Sequence, residues 1–359
     1  MTSPFDAVEF AHGPAMANRF MLAPLTNQQS NPDGTLSEDE YQWLTYRAEG
    51  GFGLTMTCAS HVQRIGQGFP GQLGCFDDDH LPGLTRLATS IKAHGSLAIL
   101  QLHHAGRRAP VELIGEAPVA PCVDGDVGAR EMTTGEVEQV IEDFIAAAVR
   151  AEKAGFQGVE LHGAHDYLLC EMLNGTFNQR SDHYGGSLEN RSRALFSMIF
   201  GIRAACSADF NLSVRLSPER FGQTTHDMVE VYGRLVDCGE IDFIDLSMWD
   251  VFKEAADEEY AGRKLLDLYA ELPRGETKLA VAGKIYSGQD VQRALDGGAD
   301  LVAIGRAAIT DHDFPEKIRR DPSASMRALP VSRAVLRQER LSEGFIDYMS
   351  AWAGFVEAQ

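Results

Sequence analysis

The sequence predicts an α/β protein built as a single (β/α)8 TIM barrel with extra loops and a C-terminal helix. Three observations carry this. Eight short apolar runs recur along the 359 residues, helix-like stretches follow them, and no Pro/Ser-rich linker, short repeat or low-complexity segment divides the chain. Alternating strand and helix signals call for a parallel sheet, and eight such units close most economically into a barrel. A doubly wound open sheet is the structural alternative. Length alone suggests two domains, but barrels of this kind reach this size as one. The chain is therefore expected to be one domain over residues 1–359, with the barrel at about 18–320 and a helical extension at about 330–359.

The strands are expected at Arg19–Leu25, Leu54–Ser60, Leu97–Leu102, Gly158–His162, Asn211–Leu216, Phe243–Ser247, Lys278–Ala282 and Asp300–Ile304. Such short, mostly apolar runs suit parallel strands buried on both faces. Ser37-Glu-Asp-Glu40 reads as a capping box: Ser37 caps backbone N–H groups and Glu40 reaches back. Val137–Ala154 has apolar residues at helical spacing and stops at Gly155; Val229–Cys238 stops likewise at Gly239, and Gln289–Leu295 before Gly297-Gly298. Leu341–Phe355 again shows helical spacing and is expected to cover the barrel or meet a partner subunit.

Composition narrows the function. With 32 basic and 52 acidic residues the net charge is −20, which repels nucleic-acid phosphates. No polybasic cluster points to an anionic membrane surface, and no apolar run reaches spanning length. The first residues lack the basic and apolar regions of a leader, so a cytoplasmic protein is expected. Cysteines 58, 75, 122, 170, 206 and 238 are scattered without a C-x-x-C pair, which argues against zinc or iron–sulfur sites and suits reduced thiols.

Gly66-Gln-Gly68-Phe-Pro-Gly71 satisfies G-x-G-x-x-G literally. A dinucleotide fingerprint needs a helix to open directly there, and Pro70 with the following Gly-Gln-Leu-Gly breaks any helix. The segment is expected to be a loop.

In a barrel of this type the site lies at the C-terminal ends of the strands. The polar or unusual residues at those ends are Pro24, Thr26, Ser60, Gln101, His103, His104, His162, His165, Arg215, Ser247, Gly283, Gly305 and Arg306. They come from all eight strands, and barrel closure brings them onto one rim, which favours one large ligand. Each histidine alone reads as a satisfied structural residue or as a donor. His162 and His165, with Glu160 and Asp166 nearby, also offer metal donors. Strong zinc motifs place two histidines at i, i+4 on a helix, however, and no metal is expected here. Arg215 ends an apolar strand, where a charge is expensive unless paired.

Two segments go further: His162-Gly-Ala-His165-Asp-Tyr167, and Asn178-x-Arg180-x-Asp182-x-Tyr184-Gly-Gly-Ser187-x-Glu189-Asn190-Arg191. In order and spacing they resemble the Old Yellow Enzyme family of FMN-dependent ene-reductases, with weaker matches from about Asn18 to Phe314. The resemblance implies noncovalent FMN, reduced by NADPH or NADH. Hydride then goes from flavin N5 to the β-carbon of an α,β-unsaturated carbonyl compound. It implies that His162 and His165 donate hydrogen bonds to the substrate carbonyl, an oxyanion-type stabilisation, and that Tyr167 protonates the α-carbon. The family usually has Gly where this chain has Asp166.

For the cofactor, the resemblance places Pro24, Leu25 and Thr26 on the flavin, Ala59 beside its ring, Gln101 on its pyrimidine edge and Arg215 near N1 and C2=O. The phosphate end is expected at Val281-Ala-Gly283-Lys and Ile304-Gly305-Arg306, where glycines allow close backbone approach and a helix begins. Gln28 stands where some relatives have a substrate-contacting Tyr, and His103 where relatives vary; both are expected at the substrate. The charges of Asn178–Arg191 are expected to lock their loop. Specificity is expected in loops such as Gln63–Gly74 and Trp249–Tyr260. A homo-oligomer is possible on this reading. Three rivals stand beside it: the barrel part of a dienoyl-CoA-reductase-like flavoenzyme, a metal-dependent barrel hydrolase using His162 and His165, and a flavin-binding sensor without turnover.

Overall fold

The computed structural model describes residues 2–358. Eight parallel strands close into a barrel: β1 (Phe20–Leu22), β2 (Leu54–Met56), β3 (Leu97–His103), β4 (Gly158–Gly163), β5 (Asn211–Leu216), β6 (Phe243–Ser247), β7 (Lys278–Ala282) and β8 (Leu301–Ile304). Closure is made where β1 pairs with β8, Phe20 against Val302, and where β2 pairs with β3, Leu54 against Leu97. All eight fall inside or over the expected runs. The first and second are shorter than expected. The Ala23 N–H still donates to the Ile304 carbonyl at 3.1 Å, residues 24–25 leave the ladder, and Ser60–His61 form a separate short strand against the end of β3.

The two-residue period of each strand sorts its side chains. Phe20 and Leu22 pack outward with the helices, whereas Met21 and Ala23 face inward with Leu54, Met56, Leu97, Ile99, Ala280, Ala282, Leu301 and Ala303. An antiparallel bridge between Val8 and Met16 brings the N-terminal segment into that same inner cluster, closing the barrel's floor. Around the outside run α1 (Glu38–Glu49), α2 (Leu81–Ala93), α3 (Thr134–Lys153), α4 (Leu188–Ala205), α5 (Thr225–Asp237), α6 (Leu265–Ala270) and α7 (Gly288–Asp296). After β8 come α8 (Arg306–Thr310) and α9 (Phe314–Arg320), then the C-terminal pair α10 (Arg333–Gln338) and α11 (Glu343–Ser350).

The helix starts follow side-chain capping, with one correction. Ser37 accepts from the Glu40 N–H as expected, but the Glu40 carboxylate does not return to the cap. It is fully buried, bonded by Asn27 and Ser30 and approached by the Cys58 thiol at 3.0 Å. Burial raises its pKa, so the carboxyl serves the interior rather than the helix end. The complete capping box lies at Thr133 and Glu136 instead. The six cysteines are free; Cys58, Cys75 and Cys170 are buried and the other three half-buried. No helix among the described residues is long and apolar enough to cross a membrane.

Candidate active site

A cavity of about 310 Å³ opens at the C-terminal ends of the strands, within the usual range of about 300–1,000 Å³ for small-molecule sites. Its wall combines Pro24, Leu25, Thr26, Ala59, Gln101, His162, His165, Tyr167, Arg215, Gly283, Gly305 and Arg306. The inward alternation explains much of this. Gln101, His162, Arg215 and Ser247 end strands and face inward, while Ala23, Ala59, Ala282 and Ala303 leave room for a ligand.

One side of the cavity is an aromatic and imidazole cluster. The ring of His162 lies 5.2 Å from those of both His165 and Tyr167, edge to face. Burial drives both histidine pKa values down: well below the usual value for His162, with His165, His103 and Arg215 adding to it, and to about 3 for His165, with Arg215 and Arg108 adding. Each imidazole is therefore neutral near pH 7 and carries one N–H. At His162 the Ala164 N–H points at Nδ1 from 3.3 Å, which leaves the proton on Nε2. His165 is held at three points: its N–H donates to Ser217 Oγ at 3.1 Å, its Nε2 meets Ser247 Oγ at 2.7 Å, and its carbonyl accepts from Arg108 at 2.6 Å. Burial raises the Tyr167 phenol, with Arg108 opposing and Tyr348 and Asp166 adding. Its hydroxyl makes no hydrogen bond among the described residues.

Asp166 has a structural account. Both His165 (φ 63) and Asp166 (φ 62) occupy the left-handed region, where Gly is easiest and Asp is tolerated. The Asp166 carboxylate turns away from the cavity to Arg107, 2.7 and 2.8 Å from one guanidinium nitrogen.

The floor of the site carries charge. Arg215 Nε lies 3.1 Å from Asp245 Oδ2, yet neither atom has a hydrogen bond of good geometry. The pair is a charge contact, not a directed bond. Glu160 sits beside them, accepting from Gln101 at 2.8 Å. Burial and the Asp245 charge raise its pKa well above the usual value.

Two expected substrate residues are elsewhere. His103 is fully buried behind the wall: Gln72 lies 3.0 Å from its Nδ1, and its ring supports Tyr167 edge-on at 4.4 Å. It cannot line the cavity because Tyr167 stands in front of it. Gln28 adopts φ 55, and its carbonyl lies so close to Gly71 that a Cβ there would meet it at 2.5 Å. That turn carries Gln28 off the wall. Trp249 and Lys284, from the expected specificity loop and phosphate segment, also line the cavity, as do Tyr286, Tyr348, Met349 and Trp352, which were not singled out. The last three belong to α11 and the turn after it. Its helical spacing was visible in sequence, but where it docks was not.

The Asn178–Arg191 loop is a brace. Asn178 donates to the Met172 and Tyr184 carbonyls at 2.7 and 2.8 Å, and Arg180 donates to those of Pro121 and Met132 at 3.0 and 2.5 Å. Gly66–Gly71 follows a single 3-10 turn (Arg64–Gly66) and opens no helix.

The model of the NADH:flavin oxidoreductase / NADH oxidase family matches residues 5–323. The chain belongs to this family. It is 35% identical over 326 residues to the probable NADH-dependent flavin oxidoreductase YqiG of Bacillus subtilis (strain 168), covering 88% of this chain and 87% of that protein. It is 31% identical over 365 residues to the NADH:acrylate oxidoreductase of Vibrio harveyi, covering 97% of this chain but 36% of that protein, so it spans about a third of that relative. Among solved structures, the old yellow enzyme homologue from Zymomonas mobilis matches with a TM-score of 0.80 and 26% identity, over 97% of this chain and 99% of that one.

The family's cofactor is FMN and its reductant NADH or NADPH. The residues present suit FMN. Arg215, whose Nε faces Asp245, brings a buried positive charge to the cavity wall. Gln101 spends its amide N–H on Glu160 and keeps its carbonyl oxygen for a ring N–H. At the far end Lys284 and Arg306 supply cations beside Gly283 and Gly305. Gly283 (φ 145) packs so tightly on the next loop that a Cβ would lie 2.6 Å from the Trp249 carbonyl carbon. Membership of a flavin family leaves the metal-hydrolase reading without support.

Proposed function

We propose that the chain is an FMN-dependent ene-reductase, reducing the activated C=C bond of α,β-unsaturated carbonyl compounds with NADPH or NADH. Overall, NAD(P)H, a proton and the enone give NAD(P)+ and the saturated carbonyl compound. The observation that carries the reading is the grouping of His162, His165 and Tyr167 on one wall of the cavity that Gln101 and Arg215 also line.

FMN bound here would supply hydride-transfer chemistry between NAD(P)H and the β-carbon of the acceptor. Gln101, Arg215, Thr26 and the Pro24-Leu25 backbone would hold its ring, with Ala59 beside it, and Gly283, Lys284, Gly305 and Arg306 would hold its phosphate. His162, through Nε2–H, and His165 donate to the acceptor's carbonyl oxygen. Neutral donors fixed by Ala164, Ser217 and Ser247 need no reorganisation as negative charge grows on that oxygen. Tyr167 gives its phenolic proton to the α-carbon, which suits a raised pKa because the proton is kept until a strong base forms. The name of the Vibrio harveyi relative, an acrylate oxidoreductase, supports an activated alkene as acceptor.

The test is the double variant His162→Ala, His165→Ala. It is expected to keep bound FMN and to lose enone reduction. A folded variant that loses FMN instead contradicts the donor role.

A further inference from the structure

The reductant poses a problem that the cavity does not solve. The cavity is open at its mouth and also receives the flavin, so the adenylate half of a pyridine dinucleotide is placed across the rim. The chain has no helix opening at Gly66–Gly71 to take a pyrophosphate, and its net charge of −20 opposes a polyanion.

The rim offers few free cations. Arg108 is committed to the His165 carbonyl at 2.6 Å, Lys284 to Asp250 at 3.0 Å and Arg306 to the Tyr286 hydroxyl at 2.8 Å. Arg220 differs. Its guanidinium has no hydrogen bond or carboxylate partner among the described residues, and it is stacked 4.3 Å over the ring of Trp249. Trp249 lines the cavity yet is 49% exposed. Both residues are held in unusual backbone: Arg220 (φ 79), Phe221 (φ 55) and Gly222 (φ 73) run consecutively in the left-handed region, and Trp249 has φ 63. Non-glycine residues there are costly and concentrate at ligand clamps. Two loops, after β5 and β6, thus hold a free guanidinium on an exposed indole at the mouth.

We propose that Arg220 and Trp249 form the landing site for the adenylate half of NAD(P)H, Arg220 pairing with a phosphate and Trp249 offering its face to the base. Guanidinium forks match phosphate, and bases stack on indole. This rests on NAD(P)H reducing flavin in the cavity described.

The test is anaerobic stopped-flow reduction of the FMN-loaded enzyme, wild type against Arg220→Gln. The variant is expected to need about tenfold more NADPH for half-maximal reduction, the loss of one charged hydrogen-bonding contact. Its limiting rate, flavin spectrum and reoxidation by a neutral enone should be unchanged, and Arg220→Lys should recover part of the affinity. An equal weakening for NADH places the pyrophosphate on Arg220; a weakening for NADPH alone places the 2′-phosphate there. Unchanged affinity for both coenzymes overturns the proposal, as does an effect confined to acceptors that bear a carboxylate. Wild-type flavin that neither coenzyme bleaches removes the reading beneath the proposal, and the proposal with it.

Discussion

Arg107 holds Asp166 by a single guanidinium nitrogen, 2.7 and 2.8 Å from the two carboxylate oxygens. The same side chain reaches Asp124 at 2.8 Å and lies 4.3 Å over the Phe177 ring, and its backbone N–H donates to Glu171. The loop that carries His165 and Tyr167 is thereby tied to its surroundings through the one residue between them. Asp166→Asn should cost about 1–2 kcal/mol, a charged hydrogen bond discounted for the pair's partial exposure. Turnover of alkene should fall several-fold, while flavin reduction by NAD(P)H is kept. Urea unfolding and the two half-reactions check this. A variant of wild-type stability and activity would detach the pair from the site.

Arg215 and Asp245 are both buried and face each other at 3.1 Å without a directed hydrogen bond. Removing one charge leaves the other stranded in the barrel, which costs about 3–5 kcal/mol for a buried pair. Arg215→Met is therefore expected to lower stability by about 3 kcal/mol in FMN-free protein, and adding Asp245→Asn should restore part of it. Urea midpoints of the four proteins in the cycle measure the coupling. Additive effects would mean that the two charges do not stabilise each other.

The pH profile of alkene reduction follows from the two wall residues. His165, brought down to about 3, is neutral from about pH 5 upward, and Tyr167, raised above the ordinary phenol, keeps its proton. Reoxidation of reduced enzyme by an enone should be flat from about pH 5 to 9. A rate that falls as pH rises through the ordinary histidine value of about 6.5 would mean that an imidazolium, not a neutral imidazole, is the donor.

The barrel was legible because strands buried on both faces read as bare apolar runs, and β3 to β8 lie where those runs lie. The ends were less so: Arg19–Leu25 was expected where only Phe20–Leu22 pairs, since apolar residues continue past the last ladder bond. Glu40 met the capping-box spacing, but Asn27, Ser30 and Cys58, residues far from the helix start, drew its carboxyl inside. His103 shares the inward phase of Gln101, yet Tyr167 covers it, a fact of loop packing with no trace in local pattern. Tyr348, Met349 and Trp352 reach the cavity because α11 docks across the mouth of the barrel. Helical spacing marks a helix but not the surface on which it settles.

The proposed role of Tyr167 is to supply the proton at a site shared by both half-reactions. Anaerobic stopped-flow on Tyr167→Phe, with NADPH and then 2-cyclohexenone, tests it most directly. Bleaching of the flavin should proceed at the wild-type rate, and its return with the enone should slow by about 100-fold or more, the usual worth of a general acid. Equal slowing of the two steps, or of neither, would contradict the account.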